Sequence, residues 1–311
     1  MQSGRSLKKS MSKILFQRVF LPPPCYALLE SGIVSRKNEV NILVKNATNV
    51  LVGGFAYWAF GFGFSFGQSY SNLFIAFGSF FITASMEEMG NGASSPATVW
   101  SLLWSSSCTA CRGLDVEGQR ISGHSRAVDV GGSGVVHLVG GCCGLVAAAI
   151  LGPRTGRYDK GTQLLPLGNP TNALLGLFML WWGWLGFSAG STTGIVDDKW
   201  KYSSSFFVKD GIHDVPILMN AVMGSLVSIS GGCTIVRPWE AIVIGMVGGI
   251  LVLITIPLID KLHIDDPTNT FAVHGIAGAW GMLSIGLFSV KDNMRNYTRG
   301  LDGLFKGVVG S

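Results

Sequence analysis

The sequence predicts an all-α, polytopic membrane protein, and two observations support this fold class. Of the 311 residues, 48% are hydrophobic and only 13% are charged, whereas soluble domains average about 25% charged residues. The chain also contains 43 glycines, and small residues let neighbouring membrane helices approach closely. We therefore expect a multi-pass protein whose main surroundings are the lipid bilayer.

The predicted spans follow from length and hydrophobicity, because a helix needs about 20 mostly apolar residues to cross the hydrocarbon core. Six stretches meet this requirement. A seventh, near residues 14–32, contains three consecutive prolines, which remove backbone donors. The six spans cover residues 47–67, 130–152, 171–190, 214–233, 238–259 and 269–290. We expect six to seven spanning helices in one membrane domain over residues 1–311.

The net charge of +5 is explained by basic residues between the spans, as in segments 36–45, 153–160 and 291–299. Lys and Arg concentrate in loops beside membrane helices, so this charge does not indicate nucleic-acid binding. Cys108 and Cys111 form a single CxxC pair without the second pair that is typical of a zinc site.

Two histidines, His137 and His274, are the most informative polar residues. Each lies midway along a Gly-rich apolar stretch, one in each half of the chain. An ionisable residue at membrane depth usually faces a pore, a cavity or a partner, and imidazole can hold or relay a proton near neutral pH. Two interpretations stay open here: paired histidines that line one path, or two core histidines bonded to backbone carbonyls.

Several segments resemble the ammonium transporter family of ammonium transporters, ammonium permeases and Rhesus glycoproteins. Segment 27–46 is similar to the end of the first helix and its loop, and 55–67 is similar to the second helix. DVGGSGVVHLVGG and LGPRTGR within 129–157 look like the fifth helix, MLWWGWLGFSAGST (179–192) looks like the sixth, and 214–281 looks like the eighth to tenth. The resemblance covers most of the chain.

The resemblance implies transmembrane transport of ammonium or ammonia through a narrow hydrophobic pore, with His137 and His274 as a hydrogen-bonded pair. It implies that Asp129, eight residues before His137, bonds backbone groups at the helix start and biases the entrance toward cations. A plain N-cap would also explain Asp129. Asn220 falls near the family's recruitment position. Trp184 lies beside the sixth-helix match, where an aromatic ring serves either packing or cation recruitment.

The resemblance also implies what surrounds the protein. Its partners would be ammonium or ammonia, the lipid bilayer and further subunits, in a homotrimer or a mixed trimer with paralogues. We expect no nucleic acid partner, no cofactor, no bound metal and no enzymatic activity, and a location in the plasma membrane. A metalloenzyme is disfavoured because no carboxylate or cysteine lies at a ligand spacing such as HxxxH or HxxE around either histidine.

Two segments, 84–128 and 196–213, depart from the family pattern and are predicted to be unmatched inserts. The family has eleven helices, and the third, fourth, seventh and eleventh are not recognised here. Residues 196–213 carry six charged residues and are not expected to lie in hydrocarbon. Loss of the seventh helix alone would invert the segments that follow, so His274 is not expected to approach His137.

Two hypotheses for the whole chain follow from this count. The first is ammonium or ammonia transport through the twin-histidine pore. The second is a non-conducting transporter remnant or isoform that associates with intact paralogue subunits. A skipped exon, a misassembled gene model or a degenerate copy would each produce such junctions.

Overall fold

The structure is a computed structural model that describes residues 23–61, 77–78, 80–81, 128–159, 166–191, 215–291, 298 and 300–309. Within these ranges the chain is helical and has no β-strand, which confirms the all-α fold class. The predicted insert 196–213 and the Cys108–Cys111 pair lie outside the described residues, as does the predicted insert 84–128 except for its last residue.

Eight α-helices are described within these ranges. They are α1 (Pro23–Ile33), α2 (Glu39–Ala56), α3 (Val139–Leu151), α4 (Pro170–Ser191), α5 (Val215–Ser230), α6 (Pro238–Lys261), α7 (Ala277–Phe288) and α8 (Leu304–Val309). Three π-helical segments continue or precede these helices, at Tyr57–Gly61, Ser133–Leu138 and Phe271–Ile276. We name the last two the His137 turn and the His274 turn, after the histidine that each contains.

In the described part of the chain, three continuous helical stretches are long and apolar enough to cross a membrane: Ser133–Leu151, Pro238–Lys261 and Phe271–Phe288. They correspond to the predicted spans 130–152, 238–259 and 269–290. Helices α4 and α5 coincide with two further predicted spans.

One predicted boundary is wrong. The span predicted to begin at residue 47 is helical from Glu39, within the basic segment that was assigned to a loop. Glu39 lies in the first turn of α2, where a carboxylate stabilises the helix dipole. The Lys45 ammonium contacts Glu30 of α1, so a charge that suggested a loop lies on a helix.

Glycines set the distances between the helices, because a methyl group at several of them would meet the backbone of a neighbour. A Cβ at Gly32 would overlap Ala173 of α4, and one at Gly176 would overlap Leu29 of α1. Helices α1 and α4 are therefore antiparallel and closely packed. Without a hydrophobic drive in lipid, such close backbone contact is a main source of helix association.

The directions of α4 and α5 decide whether the second half is inverted. Helix α4 begins beside the end of α1, where the Asn169 amide donates to the Gly32 carbonyl, 3.1 Å away. Helix α5 also begins near α1, because Asn220 lines a cavity together with Glu30. Near their other ends the two helices are joined by a hydrogen bond between Trp184 and Ser230. They run in the same direction, so the expected inversion is wrong; the connection between them lies outside the described residues.

Candidate functional site

The two histidines meet. Their Nδ1 atoms are 3.1 Å apart, and the ring planes differ by 12° with centroids 5.2 Å apart. At this distance one Nδ1–H donates a hydrogen bond to the other Nδ1, so two neutral rings would have to be different tautomers. The expectation that His274 cannot approach His137 is therefore wrong.

Antiparallel packing of the two histidine turns, with α3 and α7, brings the rings together. A Cβ at Gly141 would overlap the backbone of Gly275, next to His274. A Cβ at Gly144 would lie 2.9 Å from the Thr270 methyl, and one at Gly134 would lie 2.9 Å from the Met282 sulfur. Residue numbers rise along the first segment where they fall along the second, so the two segments are antiparallel. Because Gly141 and Gly275 have no side chains, the backbones approach closely enough for the imidazoles to touch.

Trp184 stacks on His137. The His137 and Trp184 rings are nearly parallel, 14° apart, with centroids at 5.3 Å. The Trp184 Nε1 donates a hydrogen bond to the Ser230 hydroxyl at 2.9 Å, and that hydroxyl donates to the Leu226 carbonyl at 2.8 Å. Since Trp184 and Ser230 are buried, this chain of bonds fixes the orientation of the indole against His137.

Asp129 organises the start of the His137 turn. One carboxylate oxygen accepts the backbone N–H groups of Gly132 and Ser133, and the other accepts those of Gly134 and Val135, at 2.8–3.1 Å. The first N–H groups of a helix have no intrahelical acceptor. The Asp129 carboxylate thus satisfies four donors of the segment that carries His137.

The His274 turn has a related but weaker arrangement. Asp266 stands eight residues before His274, the same spacing as between Asp129 and His137. Its carboxylate accepts the Phe271 backbone N–H at 2.8 Å. Asp266 was not predicted, although comparison of the two spacings in the sequence would have revealed it.

Asn220 does not lie with Asp129. It lines a cavity of about 190 Å³, together with His274. Asn220 belongs to the second turn of α5, whereas Asp129 lies beside the end of α5, where the Val130 amide donates to the Gly231 carbonyl. The histidine pair lies between these two regions. We call the cavity the His274 cavity, lined by Tyr26, Leu29, Glu30, Ile33, Met219, Asn220, Met223, Thr268, Thr270, Val273 and His274.

Comparison with known proteins gives the family. The model of the Ammonium Transporter Family matches residues 12–114 and 116–310. The chain belongs to the ammonium transporter family. It is 33% identical to "Putative ammonium transporter 3" of Caenorhabditis elegans over 86% of this chain and 47% of that protein. It is 32% identical to "Ammonium transporter 1 member 1" of Arabidopsis thaliana over 84% of this chain and 65% of that protein.

The fold of this chain is also similar to that of solved structures. The chain superimposes on a structure titled "Sensor Amt Protein" with a TM-score of 0.77 and 25% identity, over 94% of this chain and 85% of that one. The chain spans about half the length of the nematode relative and 65% of the Arabidopsis one. Family membership confirms a multi-pass membrane protein that is not an enzyme.

Ion pairs join the turn that follows α3 to the end of α6 and the residues just after it. Arg154 donates to Asp265 through Nε at 2.6 Å and through Nη2 at 2.8 Å. Burial alone would raise the pKa of the Asp265 carboxyl, but the hydrogen bonds and charge of Arg154, assisted by the charge of Arg157, hold that pKa below its ordinary value. Arg157 also contacts Asp260, at 2.5 Å.

A metal site receives no support in the described part of the chain, where no group of three or more His, Cys, Asp or Glu side chains is arranged to hold a metal ion. The histidine pair offers two imidazoles only. Structural and catalytic zinc sites use at least three protein ligands.

Proposed function

We propose that this chain transports ammonium or ammonia across a membrane along the His137–His274 pair. The observation that carries the proposal is the 3.1 Å contact between the two Nδ1 atoms. Membership of the ammonium transporter family supports the substrate, and the apolar helices around the pair support a path through lipid.

The site favours a neutral species at the level of the histidines. His137 is 5% exposed and stacks on Trp184, which belongs to one buried core cluster with the apolar side chains Val273, Leu226 and Met223. A bare ammonium ion would lose its hydration there at high cost, whereas ammonia would lose far less. In our proposal ammonium gives up a proton before the pair, ammonia passes along the imidazoles, and the imidazoles guide it and relay the proton.

The other site residues have separate roles in this proposal. Asp129 holds the His137 turn and places negative charge at its end of the path. Trp184 fixes the orientation of His137, because its indole stacks on the imidazole. Asn220 offers an amide to the solute at the other end, in the His274 cavity.

Uptake of methylammonium in a host that lacks its own ammonium transporters tests the proposal. We expect uptake by the wild-type chain, and loss of it to the empty-vector level for His137→Ala and His274→Ala. His263→Asn is the matched control, since His263 is exposed outside the pair and its positive φ of 57° is tolerated by Asn. No uptake by the wild-type chain would remove the proposal.

Electrical recording distinguishes net transport of a charge from net transport of neutral ammonia. A steady inward current with uptake would indicate transport of the ammonium ion or of ammonia with a separate proton. Electroneutral uptake would indicate ammonia alone.

A second candidate function is a non-conducting subunit that enters trimers of an intact paralogue. It is favoured by exposed apolar side chains on the outer faces of the helices, such as Ile150, Leu151 and Leu283, which could contact a neighbouring subunit. Co-expression with a tagged full-length relative tests it. Absence of co-purification together with unchanged uptake by the relative would exclude it.

We further propose that the chain acts in the plasma membrane as a homotrimer or a mixed trimer. The exposed apolar faces named above are suited to either lipid or a neighbouring subunit. Surface biotinylation tests the location, and the mass of the detergent-solubilised particle tests the trimer.

A further inference from the structure

The His274 cavity contains one carboxylate that the transport proposal does not use. Among the residues that line it, Glu30 is the single charged side chain, and Asn220, Thr268, Thr270 and Tyr26 add neutral oxygen atoms. The cavity measures about 190 Å³, whereas a water molecule takes about 30 Å³ in the liquid. It therefore has room for a small ion with several waters.

Glu30 already binds an alkylammonium group. The Lys45 Nζ lies 2.9 Å from Glu30 Oε2, and the Asn46 side-chain amide donates to the same oxygen at 2.6 Å. Oε1 has no hydrogen bond to any residue that the structure describes. The Lys45 side chain is 47% exposed, so it can move into solvent and leave the carboxylate to another cation.

We propose that the His274 cavity is a binding site for a small monovalent alkylammonium or ammonium ion, with Glu30 as its counter-ion. This inference rests on the proposed function for the identity of the ion. The Lys45 ammonium and the bound ion then compete for one carboxylate. The site lies on the His274 side of the pair. An ammonium ion that gains or loses its proton beside His274 would therefore have the Glu30 carboxylate as a counter-ion in the same cavity.

A cysteine at position 268 reports the charge of the cavity without transport. In purified Thr268→Cys protein, the thiol is reacted with cationic methanethiosulfonate ethylammonium and with neutral methyl methanethiosulfonate. The rate of the chain with Thr268 intact is subtracted, which removes the reaction of the native cysteines. Each rate is then divided by the rate of the same reagent with a free thiol in solution, which removes the difference in intrinsic reactivity. We expect the cationic reagent to react about five-fold faster, since a nearby carboxylate concentrates cations. Methylammonium is expected to slow that reaction.

Variants in this background decide the role of Glu30. Glu30→Gln is expected to abolish both the cation preference and the protection by methylammonium. Glu39→Gln is the matched control: this carboxylate bonds Asn172 at 2.7 Å and does not line the cavity, so the preference should stay. Lys45→Met is expected to strengthen protection, because it removes the competing ammonium.

Three outcomes would overturn the proposal. The first is a preference for the cationic reagent in Glu30→Gln that equals that of Thr268→Cys alone. The others are unchanged protection by methylammonium in Lys45→Met, and no reaction of Cys at position 268 with either reagent. Since Lys45→Met retains Glu30, it tests the site even where Glu30→Gln fails to fold. The reporter needs no conduction. Absence of uptake with an intact cation preference would contradict the proposed function alone, and uptake without the preference would contradict the cation site alone.

Discussion

His137 and His274 lie in backbone segments of the same form, but their surroundings differ. His137 is buried and contacts both Trp184 and His274, whereas His274 lines a cavity. Asp129 accepts four backbone amides of the His137 turn, and Asp266 accepts one of the His274 turn, from Phe271. The comparison indicates one tightly fixed imidazole and one that borders open space, and the predictions below test this difference.

The largest expected effect concerns the two carboxylates. Asp129→Ala leaves four helix-start amides without their acceptor and should lower the free energy of unfolding by about 4 kcal/mol, because unsatisfied buried donors cost about 1–3 kcal/mol each and are not additive. Asp266→Ala should lower it by about 1–2 kcal/mol. Thermal unfolding in detergent measures both. Equal losses would show that the two turns are held alike.

The contact between the turns gives the next effect. Gly141→Ala places a methyl group against the Gly275 backbone and should destabilise the protein by about 3 kcal/mol, with loss of methylammonium uptake as the imidazoles separate. Gly140→Ala is the control, since a Cβ there has no neighbour within 4 Å. If Gly141→Ala behaved like Gly140→Ala, the rings would not depend on this approach.

Trp184→Phe tests how His137 is fixed. The variant keeps an aromatic ring but loses the hydrogen bond to Ser230, so we expect a loss of about 1 kcal/mol in stability and a several-fold lower uptake rate. Trp182→Phe is the control, because Trp182 is exposed. An unchanged rate for Trp184→Phe would mean that the indole only fills space.

The smallest effect concerns the ion pair that joins the two halves outside the bilayer. Asp265→Asn should cost about 1 kcal/mol at neutral pH, a modest value because the Arg154 side chain is 51% exposed. The pKa of Asp265 is lowered by folding, so its contribution is present above the unfolded value near pH 4 and is lost as the pH falls through the lower folded pKa. The difference between wild type and Asp265→Asn should therefore shrink in acid; a constant difference would contradict the pairing.

Part of this architecture could be predicted from the sequence. The spans followed from long apolar runs, and the two histidines were evident because ionisable residues are rare at membrane depth. The resemblance identified Asp129, Trp184 and Asn220 in the sequence, but it did not predict their positions relative to the histidine pair. The structure shows that Asn220 lines the same cavity as His274, and that Trp184 stacks on His137.

Other features depended on packing between distant segments. The orientation of α5 to α7 was predicted wrongly from the charge of residues 196–213. The contacts Gly134–Met282, Gly141–Gly275 and Gly144–Thr270 together show the antiparallel arrangement. The start of α2 was placed too late because Lys45 suggested a loop. Glu30 gave no signal as a site residue, since its neighbours in the cavity come from α5 and from the segment before the His274 turn.

The Nδ1-to-Nδ1 contact has a consequence for repeated proton transfer. A proton that enters at the Nε2 of one ring and is handed through the shared hydrogen to the other leaves from the far Nε2. Afterwards the two rings have exchanged tautomers, and the entry nitrogen already carries a hydrogen. In the proposed relay, a second transfer in the same direction must therefore wait until both tautomers have reverted, which adds a step to every proton passed.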